Sequence, residues 1–297
     1  MKPKIIVHGG ARGNSKHEPV RQQDVIAACE AAYAVLLKKG ALDAVEEAII
    51  RMEDSPYLNA GVGSYLDLDG RVRMDASIMQ DDLSAGAVIG IEDVEHPISV
   101  ARRVMEVTRH IILSGELATS FAHSEGFPRY DPRTRERIEQ WMDILEEFRT
   151  KTTYEQIFRV HQYLNKDDKE KDHLGTVGCV AIDADGRIAA GTSTGGLKID
   201  VPGRVGDSAI LGAGTYCCKF GGVSCTGVGE KILVLALSKE VINHLRYHAE
   251  KNAADAVQHG LNELNSLQAK GGLICIDHKG NLGYGFNTEL MTMHFIE

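Results

Sequence analysis

Apolar residues recur in two different patterns along the chain, and these predict where helices and strands lie. A spacing of three to four residues indicates a helix with one buried face, whereas alternating or short continuous apolar runs indicate buried strands. The helical spacing covers residues 24–39, 42–52, 98–109, 117–124, 230–249 and 253–267, and a charged helix with a buried stripe follows Pro132. The strand pattern covers residues 4–8, 66–73, 74–79, 85–91, 110–116, 177–182, 188–194, 273–277 and 282–286.

The order of these elements predicts the fold class. Several strands form pairs joined by short turns such as 183–186, and the helices come in pairs between them. This order favours a layered α+β domain with central antiparallel sheets over an array of parallel βαβ units. The chain has 297 residues, which suffice for one large domain or two ordinary ones.

A polar tract over residues 150–173 interrupts this order. Within it, residues 166–172 include no apolar side chain, so the tract cannot bury enough surface to order itself. We expect an exposed, mobile linker over about 150–175 that ends against Thr176.

Composition narrows the range of partners and compartments. The formal net charge of −9 argues against a nucleic acid or an anionic membrane as a partner. No pair among the six cysteines has C-x-x-C spacing, which favours free thiols in a reducing compartment. The apolar run after Lys4 is too short for the core of a signal peptide, and no run approaches membrane-spanning length. A cytoplasmic protein is therefore the expectation.

Two glycines, Gly9 and Gly10, follow the first predicted strand. Glycine lets the backbone turn sharply or approach another group closely. A tight exit from the strand is the favoured interpretation, and a loop pressed against an active site is the alternative. His8 is interpreted as a hydrogen-bonded core histidine, and Asp75, in apolar surroundings, as a structural polar anchor.

Thr176 is the main candidate for catalysis, because it follows Gly175 at the head of a buried strand. An ordinary threonine hydroxyl is almost wholly protonated and needs a base. Cleavage of the preceding peptide bond would free the α-amine of Thr176, whose reference pKa of about 7.7–8.0 lets it accept the hydroxyl proton. We therefore hypothesise that Thr176 becomes a new N-terminus by self-cleavage and then acts as the nucleophile.

The four residues 175–178 are by themselves common at the start of strands. The chain has no G-x-S-x-G elbow, no P-loop lysine motif and no H-E-x-x-H motif, and nucleotide binding is weakly supported. The context strengthens the threonine hypothesis. A polar tract precedes Thr176, glycine-rich loops follow it, and one of these loops carries Arg204 and Asp207.

Seven short stretches, in this order, carry a specific resemblance. They are His8-Gly9-Gly10-Ala11, Asn59-Ala60-Gly61-Val62-Gly63-Ser64, Met74-Asp75-Ala76-Ser77-Ile78-Met79, Gly175-Thr176-Val177-Gly178, Thr192-Ser193-Thr194-Gly195-Gly196, Gly203-Arg204-Val205-Gly206-Asp207-Ser208 and Thr226-Gly227-Val228-Gly229-Glu230. With them, the sequence closely resembles the plant-type asparaginase/isoaspartyl peptidase family of N-terminal nucleophile hydrolases. The resemblance covers nearly the whole chain and is weakest over 127–173.

The resemblance implies a four-layer αββα sandwich in a single domain, made as a precursor that cuts itself between Gly175 and Thr176. The cut would leave an α segment, 1–175, and a β segment, 176–297. The resemblance also implies a homodimer of such cleaved pairs.

The resemblance further assigns roles within the site. Thr176 would attack the substrate, with Thr194 hydrogen-bonding the nucleophile region and Asn59 near the scissile bond. Arg204 would pair with the substrate α-carboxylate, and Asp207 would take its α-ammonium. Thr226 and the N–H of Gly227 would form the oxyanion hole. The resemblance implies that the chemistry requires no cofactor. It also implies that the loop around residues 58–63 binds a structural sodium ion through the backbone carbonyls of Leu58, Ala60, Val62 and Gly63.

The implied activity is hydrolysis of L-asparagine and of β-aspartyl dipeptides. A glycosylasparaginase-like hydrolase is the near alternative, but such an enzyme is usually secreted or lysosomal. A threonine endopeptidase fits less well, because Arg204 and Asp207 would clamp a free amino-acid head group. A non-catalytic binding or scaffold protein on the same fold is the alternative from another class.

Overall fold

The computed structural model describes residues 1–13, 15–151 and 175–297. Most of the linker expected over 150–175 therefore lies outside the described residues. In the described part of the chain, no helix is both long enough and apolar enough to cross a membrane.

Eleven strands are described, in two sheets. They are β1 Lys4–Arg12, β2 Met74–Gln80, β3 Ala85–Ile91, β4 Ile112–Ser114, β5 Val177–Ile182, β6 Ile188–Thr194, β7 Thr215–Cys218, β8 Gly221–Gly227, β9 Gly271–Asp277, β10 Leu282–Phe286 and β11 Leu290–Ile296. The larger sheet has the order β11-β1-β5-β6-β2-β3-β4, and the smaller has the order β10-β9-β8-β7. All pairings are antiparallel except that of β3 with β4.

Helices cover the outer face of each sheet. They are α1 Glu18–Lys39, α2 Ala41–Glu53, α3 Pro97–Val107, α4 Gly115–Ser124, α5 Arg135–Lys151, α6 Gly229–Leu235, α7 Leu237–Tyr247 and α8 Ala253–Ser266. Helices α1, α2 and α3 pack against the larger sheet, and α7 and α8 pack against the smaller one. The two sheets face each other through β1, β5 and β6 on one side and β7, β8 and β9 on the other. The layers are thus helices, sheet, sheet and helices, which confirms the expected αββα sandwich.

Strand β5 shows why the sequence specifies these layers. Cys179 and Ala181 belong to the core under the helices, whereas Val180 and Ile182 belong to the core between the sheets. Successive side chains of a strand point to opposite faces, and both faces of β5 are buried. A continuous apolar run is therefore required here rather than an alternating one.

Five segments differ from the sequence-based expectation. Residues 66–73 form a turn rather than strands. The helix expected over 230–249 is divided into α6 and α7 at Ala236, which has the left-handed backbone angles φ 46° and ψ 49°. Strands β7, β8 and β11 were not predicted, although β8 and β11 border the site described next.

Candidate active site

The register of two neighbouring strands brings Thr176 and Thr194 together. Val177 of β5 pairs with Ser193 of β6, so Thr176, one residue earlier, stands opposite Thr194. The Thr176 hydroxyl donates a hydrogen bond to the Thr194 hydroxyl at 3.3 Å. Both residues are buried, so the hydroxyls meet in surroundings with little competing water.

The carbonyl oxygen of Gly175 lies between two side-chain donors. It accepts a hydrogen bond from Asn59 Nδ2 at 2.7 Å and another from Thr194 Oγ1 at 3.3 Å. Donors placed at a carbonyl oxygen stabilise the negative charge that develops there when a nucleophile attacks the carbon. The arrangement therefore suits attack on the Gly175–Thr176 peptide bond.

The Asn59 side chain is fixed by further contacts. Its Nδ2 also donates to Gly196 O at 2.7 Å, and its Oδ1 accepts from Tyr65 N at 3.1 Å. An amide side chain offers two donors and an acceptor, and all of these are used here. Asn59 is therefore held in the orientation that presents a donor to Gly175.

The Thr194 hydroxyl is likewise oriented by its neighbours. It accepts hydrogen bonds from Thr176 Oγ1 and from Gly196 N, the latter at 3.3 Å. A hydroxyl has one proton and two lone pairs, so its own proton is left to point at Gly175 O. Both lone pairs and the proton are thereby assigned.

Gly10 lies directly against the peptide bond between Gly175 and Thr176. Strand β1 continues past them to Arg12, with an irregular register between His8 and Ala11. A Cβ atom on Gly10 would lie 2.9 Å from Gly175 Cα and 3.2 Å from Thr176 N. The glycines are therefore not a strand exit, because β1 continues through them. They do not form a loop either, although Gly10 is pressed against the candidate active site as the alternative interpretation expected.

Arg12 holds this segment in place, and the sequence analysis did not identify it. Its guanidinium donates to Gly9 O, to Thr292 Oγ1 at 2.6 Å and to Glu18 Oε2 at 3.2 Å. Burial lowers the pKa of Arg12 to about 10, which leaves it charged at neutral pH. The pairing of β1 with β11, which supplies Thr292, could not be anticipated from local pattern.

Thr226 and Gly227, the predicted oxyanion-hole pair, lie at the end of β8. Thr226 is fully buried, and its hydroxyl accepts a hydrogen bond from Ala11 N at 3.3 Å. Ala11 follows Gly10, so Thr226 reaches the strand that covers the Gly175–Thr176 peptide bond. Gly227 has φ +144°, and a Cβ there would lie 2.5 Å from Gly271 Cα. Only glycine fits that position.

A buried polar network lies behind Thr176, between the two sheets. His8 Nε2 and Ser224 Oγ are 2.9 Å apart, Ser224 Oγ and Thr192 Oγ1 are 2.7 Å apart, and Thr215 donates to Thr192. Burial lowers the pKa of His8 to about 3, although a hydrogen bond with the Thr176 backbone acts in the opposite direction. The ring is therefore neutral, which agrees with the interpretation of His8 as a hydrogen-bonded core histidine.

Arg204 and Asp207, the predicted recognition pair, occupy one loop beside α6. A Cβ on Gly229 would lie 2.8 Å from Arg204 Nη2 and 2.8 Å from Asp207 Oδ1, so both side chains face that glycine. Arg204 also pairs with Glu230 at 2.9 Å and with Asp200 at 3.4 Å. Burial opposes the charge on Arg204, but these carboxylates outweigh it and raise its pKa.

Asp207 is a buried carboxyl group with an unused oxygen. Its Oδ2 is buried and accepts no hydrogen bond from the described residues. Burial raises the pKa of Asp207 to about 7, although Arg204 acts in the opposite direction. A cationic donor brought to Oδ2 would stabilise the ionised form.

Asp75 anchors the recognition loop from β2. It accepts hydrogen bonds from Gly90 N at 2.8 Å and from Gly206 N at 3.3 Å. Burial raises its pKa to about 6. Gly206 lies between Arg204 and Asp207 in the chain, so Asp75 fixes the loop that carries both, as expected of a structural polar anchor.

A cavity of about 360 Å³ opens beside these groups. Its walls include Asp75, Gly195, Gly196 and Arg204. Gly196 O accepts a hydrogen bond from Asn59, and Arg204 belongs to the recognition loop. The cavity therefore borders both the residues around Thr176 and the loop that carries Arg204 and Asp207.

The loop expected to bind sodium curls into a short helical turn, Gly61–Gly63. A Cβ on Gly63 would lie 1.8 Å from Leu58 O and 2.7 Å from Ser55 O, so only glycine fits against these carbonyls. Two of the carbonyls predicted to bind sodium already accept hydrogen bonds, Gly63 O from Arg137 Nε at 2.9 Å and Ala60 O from Gly63 N at 3.2 Å.

Comparison with known proteins supports a single assignment. A family model described as asparaginase matches residues 1–297. A plant-type L-asparaginase of Thermococcus kodakarensis is 44% identical, covering 99% of this chain and 96% of the relative. One from Pyrococcus abyssi is 43% identical over the same shares. An isoaspartyl peptidase of Escherichia coli is 38% identical, covering 97% of this chain and 90% of the relative. The chain therefore belongs to the asparaginase family, of which plant-type asparaginases and isoaspartyl peptidases are members.

Proposed function

We propose that this protein is an amidohydrolase that cuts itself between Gly175 and Thr176 and then hydrolyses L-asparagine and β-aspartyl dipeptides. The observation that carries the proposal is the carbonyl of Gly175, which receives donors from Asn59 and Thr194 while the Thr176 hydroxyl contacts Thr194. The names of the relatives support the choice of substrates.

The self-cleavage step uses groups already in place. Thr176 Oγ1 attacks the carbonyl carbon of Gly175, and the charge on the carbonyl oxygen is stabilised by Asn59 and Thr194. The C–N bond breaks, the amine takes up the proton that the Thr176 hydroxyl gives up, and an ester joins Gly175 to Thr176 Oγ1. Water hydrolyses the ester, leaving a carboxylate on Gly175 and a free amine and hydroxyl on Thr176.

Turnover then uses the liberated amine. A free α-amine has a pKa of about 7.7–8.0 and can accept the proton of the Thr176 hydroxyl. The oxygen attacks the side-chain amide of the substrate, with Thr226 and Gly227 N–H as oxyanion donors. Ammonia or an amine leaves, and water hydrolyses the resulting ester to release aspartate and regenerate Thr176.

The loop that carries Arg204 and Asp207 would bind the charged groups of the substrate. A guanidinium matches the planar geometry of a carboxylate, so Arg204 would bind the substrate α-carboxylate. A substrate α-ammonium would give Asp207 Oδ2 the donor it lacks. Together they would select an amino acid with both of its main-chain charges free.

The proposed function also includes a bound sodium ion, a homodimer and a cytoplasmic location. Backbone carbonyls around Leu58 would bind a structural sodium ion, and the chemistry needs no other cofactor. Ile111, Ile112 and Leu117 are 50%, 40% and 80% exposed at the β4 edge of the large sheet, which supports a homodimer of cleaved units. All six cysteines are free and buried, which supports a reducing, cytoplasmic compartment.

The test is the intact mass of the purified protein together with its turnover of two substrates. We expect two polypeptides, 1–175 and 176–297, the second with threonine at its N-terminus. We also expect release of ammonia from L-asparagine and of a free amino acid from a β-aspartyl dipeptide. An uncut chain inert on both substrates would refute the proposal and favour the scaffold alternative.

A further inference from the structure

Three polar side chains that have no role in the candidate active site meet where α2 ends and α3 begins. Asp54 follows the last residue of α2, and Glu95 and His96 precede α3. One ligand atom from each lies within 4.8 Å of the others. His96 Nε2 is 3.7 Å from Asp54 Oδ1 and 3.8 Å from Glu95 Oε2.

A fourth group, Glu53, lies behind the histidine. Its side chain is fully buried, and its Oε1 accepts from Ser193 Oγ at 2.6 Å and from Ile98 N at 3.2 Å. Its Oε2 accepts no hydrogen bond from the described residues and lies 3.5 Å from His96 Nδ1. Histidines that bind metals usually direct their other ring nitrogen to such a carboxylate.

The spacing and the charge both suit a divalent ion. In a tetrahedral zinc site with bonds of about 2.0–2.2 Å, neighbouring ligand atoms are about 3.3 Å apart. The observed separations from His96 Nε2 exceed this by a few tenths of an ångström, which half-exposed side chains can close by rotation. Three carboxylates, Glu53, Asp54 and Glu95, lie within 4 Å of the imidazole, and this concentration of negative charge attracts a cation.

We propose that Asp54, Glu95 and His96 bind a divalent transition-metal ion, with Zn²⁺ the best match to one imidazole and two carboxylate donors. Glu53 acts as a positioning residue that directs His96 Nε2 at the ion. Three protein ligands leave the fourth position of a tetrahedral ion to water. The ion would join the end of α2 to the start of α3. Its donors are side chains, whereas the donors of the expected sodium loop are backbone carbonyls.

Zn²⁺ binding should be measured on the purified full-length chain by competition with a chromophoric chelator. We expect one Zn²⁺ at this site per chain, with affinity at least about tenfold weaker in Asp54→Asn and in His96→Gln, since each removes a ligand. Glu53→Gln is expected to weaken binding about 10–100-fold, the usual effect of losing the carboxylate behind a ligating histidine. His110→Gln, an exposed histidine elsewhere, is the matched control and should bind as the unaltered protein does.

A thermal measurement complements binding and does not depend on Glu53→Gln folding. At free Zn²⁺ about tenfold above the dissociation constant, the Tm should rise by about 2 °C in the unaltered protein and not in Asp54→Asn. Absence of Zn²⁺ binding, or equal binding in the unaltered protein, Asp54→Asn and His96→Gln, would overturn the proposal. Neither result bears on self-cleavage or turnover.

Discussion

The two halves of the candidate site differ in how far their polar groups are already satisfied. Around Thr176, the donors and acceptors of Asn59 and Thr194 are all used within the chain. Around Asp207, a buried carboxylate oxygen has no hydrogen-bond partner among the described residues, and burial raises its pKa to about 7. The first half is complete without a ligand, whereas the second is not.

This difference suggests a division of labour. A reaction within the chain requires a finished arrangement before any substrate arrives, and the Gly175 carbonyl has one. A site that recognises a charged small molecule keeps buried polar groups without partners. The free-energy cost of removing these groups from water is offset only when the ligand binds. Substitutions in the first half should therefore impair self-cleavage, and those in the second should impair turnover alone.

The largest effect is expected for Thr176→Ala. Removing the hydroxyl removes the nucleophile of both reactions, so the chain should stay uncut and turnover should fall by at least about 10⁴-fold. Intact mass and ammonia release measure the two effects. Thr176→Ser keeps a hydroxyl and is the matched control, which should retain partial cutting. Normal hydrolysis by Thr176→Ala would show that another residue is the nucleophile.

The next largest effect is expected for Asn59→Asp. The aspartate keeps an acceptor for Tyr65 N but loses the donor to Gly175 O, so self-cleavage should slow by about 10²–10³-fold at pH 8. Protonation restores a donor, so cleavage should recover as the pH is lowered. The time course of cutting on a denaturing gel follows both effects. Asn262→Asp, on the exposed face of α8, is the control, and equal rates for the two variants would contradict the assigned role.

Arg204→Lys tests the second half. An ammonium cannot make the paired contacts of a guanidinium with a carboxylate, so kcat/KM for L-asparagine should fall by about 10²-fold, while self-cleavage proceeds normally. Steady-state kinetics and intact mass give the two readings. Arg103→Lys, at an exposed ion pair, should change neither. Impaired self-cleavage in Arg204→Lys would remove the proposed separation between the halves.

The smallest effect is a shift in stability with pH in Asp207→Asn. Because the pKa of Asp207 is raised from 3.8 to about 7, the native state binds the proton more tightly than the unfolded state. Its stabilising contribution is complete below about pH 4 and is lost as the pH rises towards 7. Asp207→Asn should thus melt about 2–4 °C above the unaltered protein at pH 8 and close to it at pH 5. A Tm difference that does not change with pH would show that Asp207 is not a strained buried acid.

The closeness of Thr176 and Thr194 could be predicted from the sequence for a physical reason. Thr176 and Thr194 lie on two strands joined by a short turn, so their proximity follows from local pairing. Asn59 stands in a loop whose glycines favour close approach, and the structure places it at the scissile carbonyl. Resemblance to the family, rather than residue pattern alone, assigned the roles.

Contacts between distant strands could not be predicted in this way. Arg12 meets Thr292, and His8 meets Ser224, across separations of 280 and 216 residues. Strand β8 was missed because Gly221, Gly222 and Gly227 give it few of the bulky residues that mark a strand. The break at Ala236 was missed because alanine favours helix and gives no local signal for a left-handed backbone.

The strand order of the large sheet determines how the molecule would behave after a cut before Thr176. Strand β1 lies between β11 and β5, and β2 pairs with β6, so the two polypeptides would be interleaved and would remain associated. Once unfolded, however, they would no longer be tethered, and each would have to find its counterpart by diffusion. Refolding would become a second-order process that slows on dilution, so a mature molecule, once melted in dilute solution, would regain its structure far less readily than its uncut precursor.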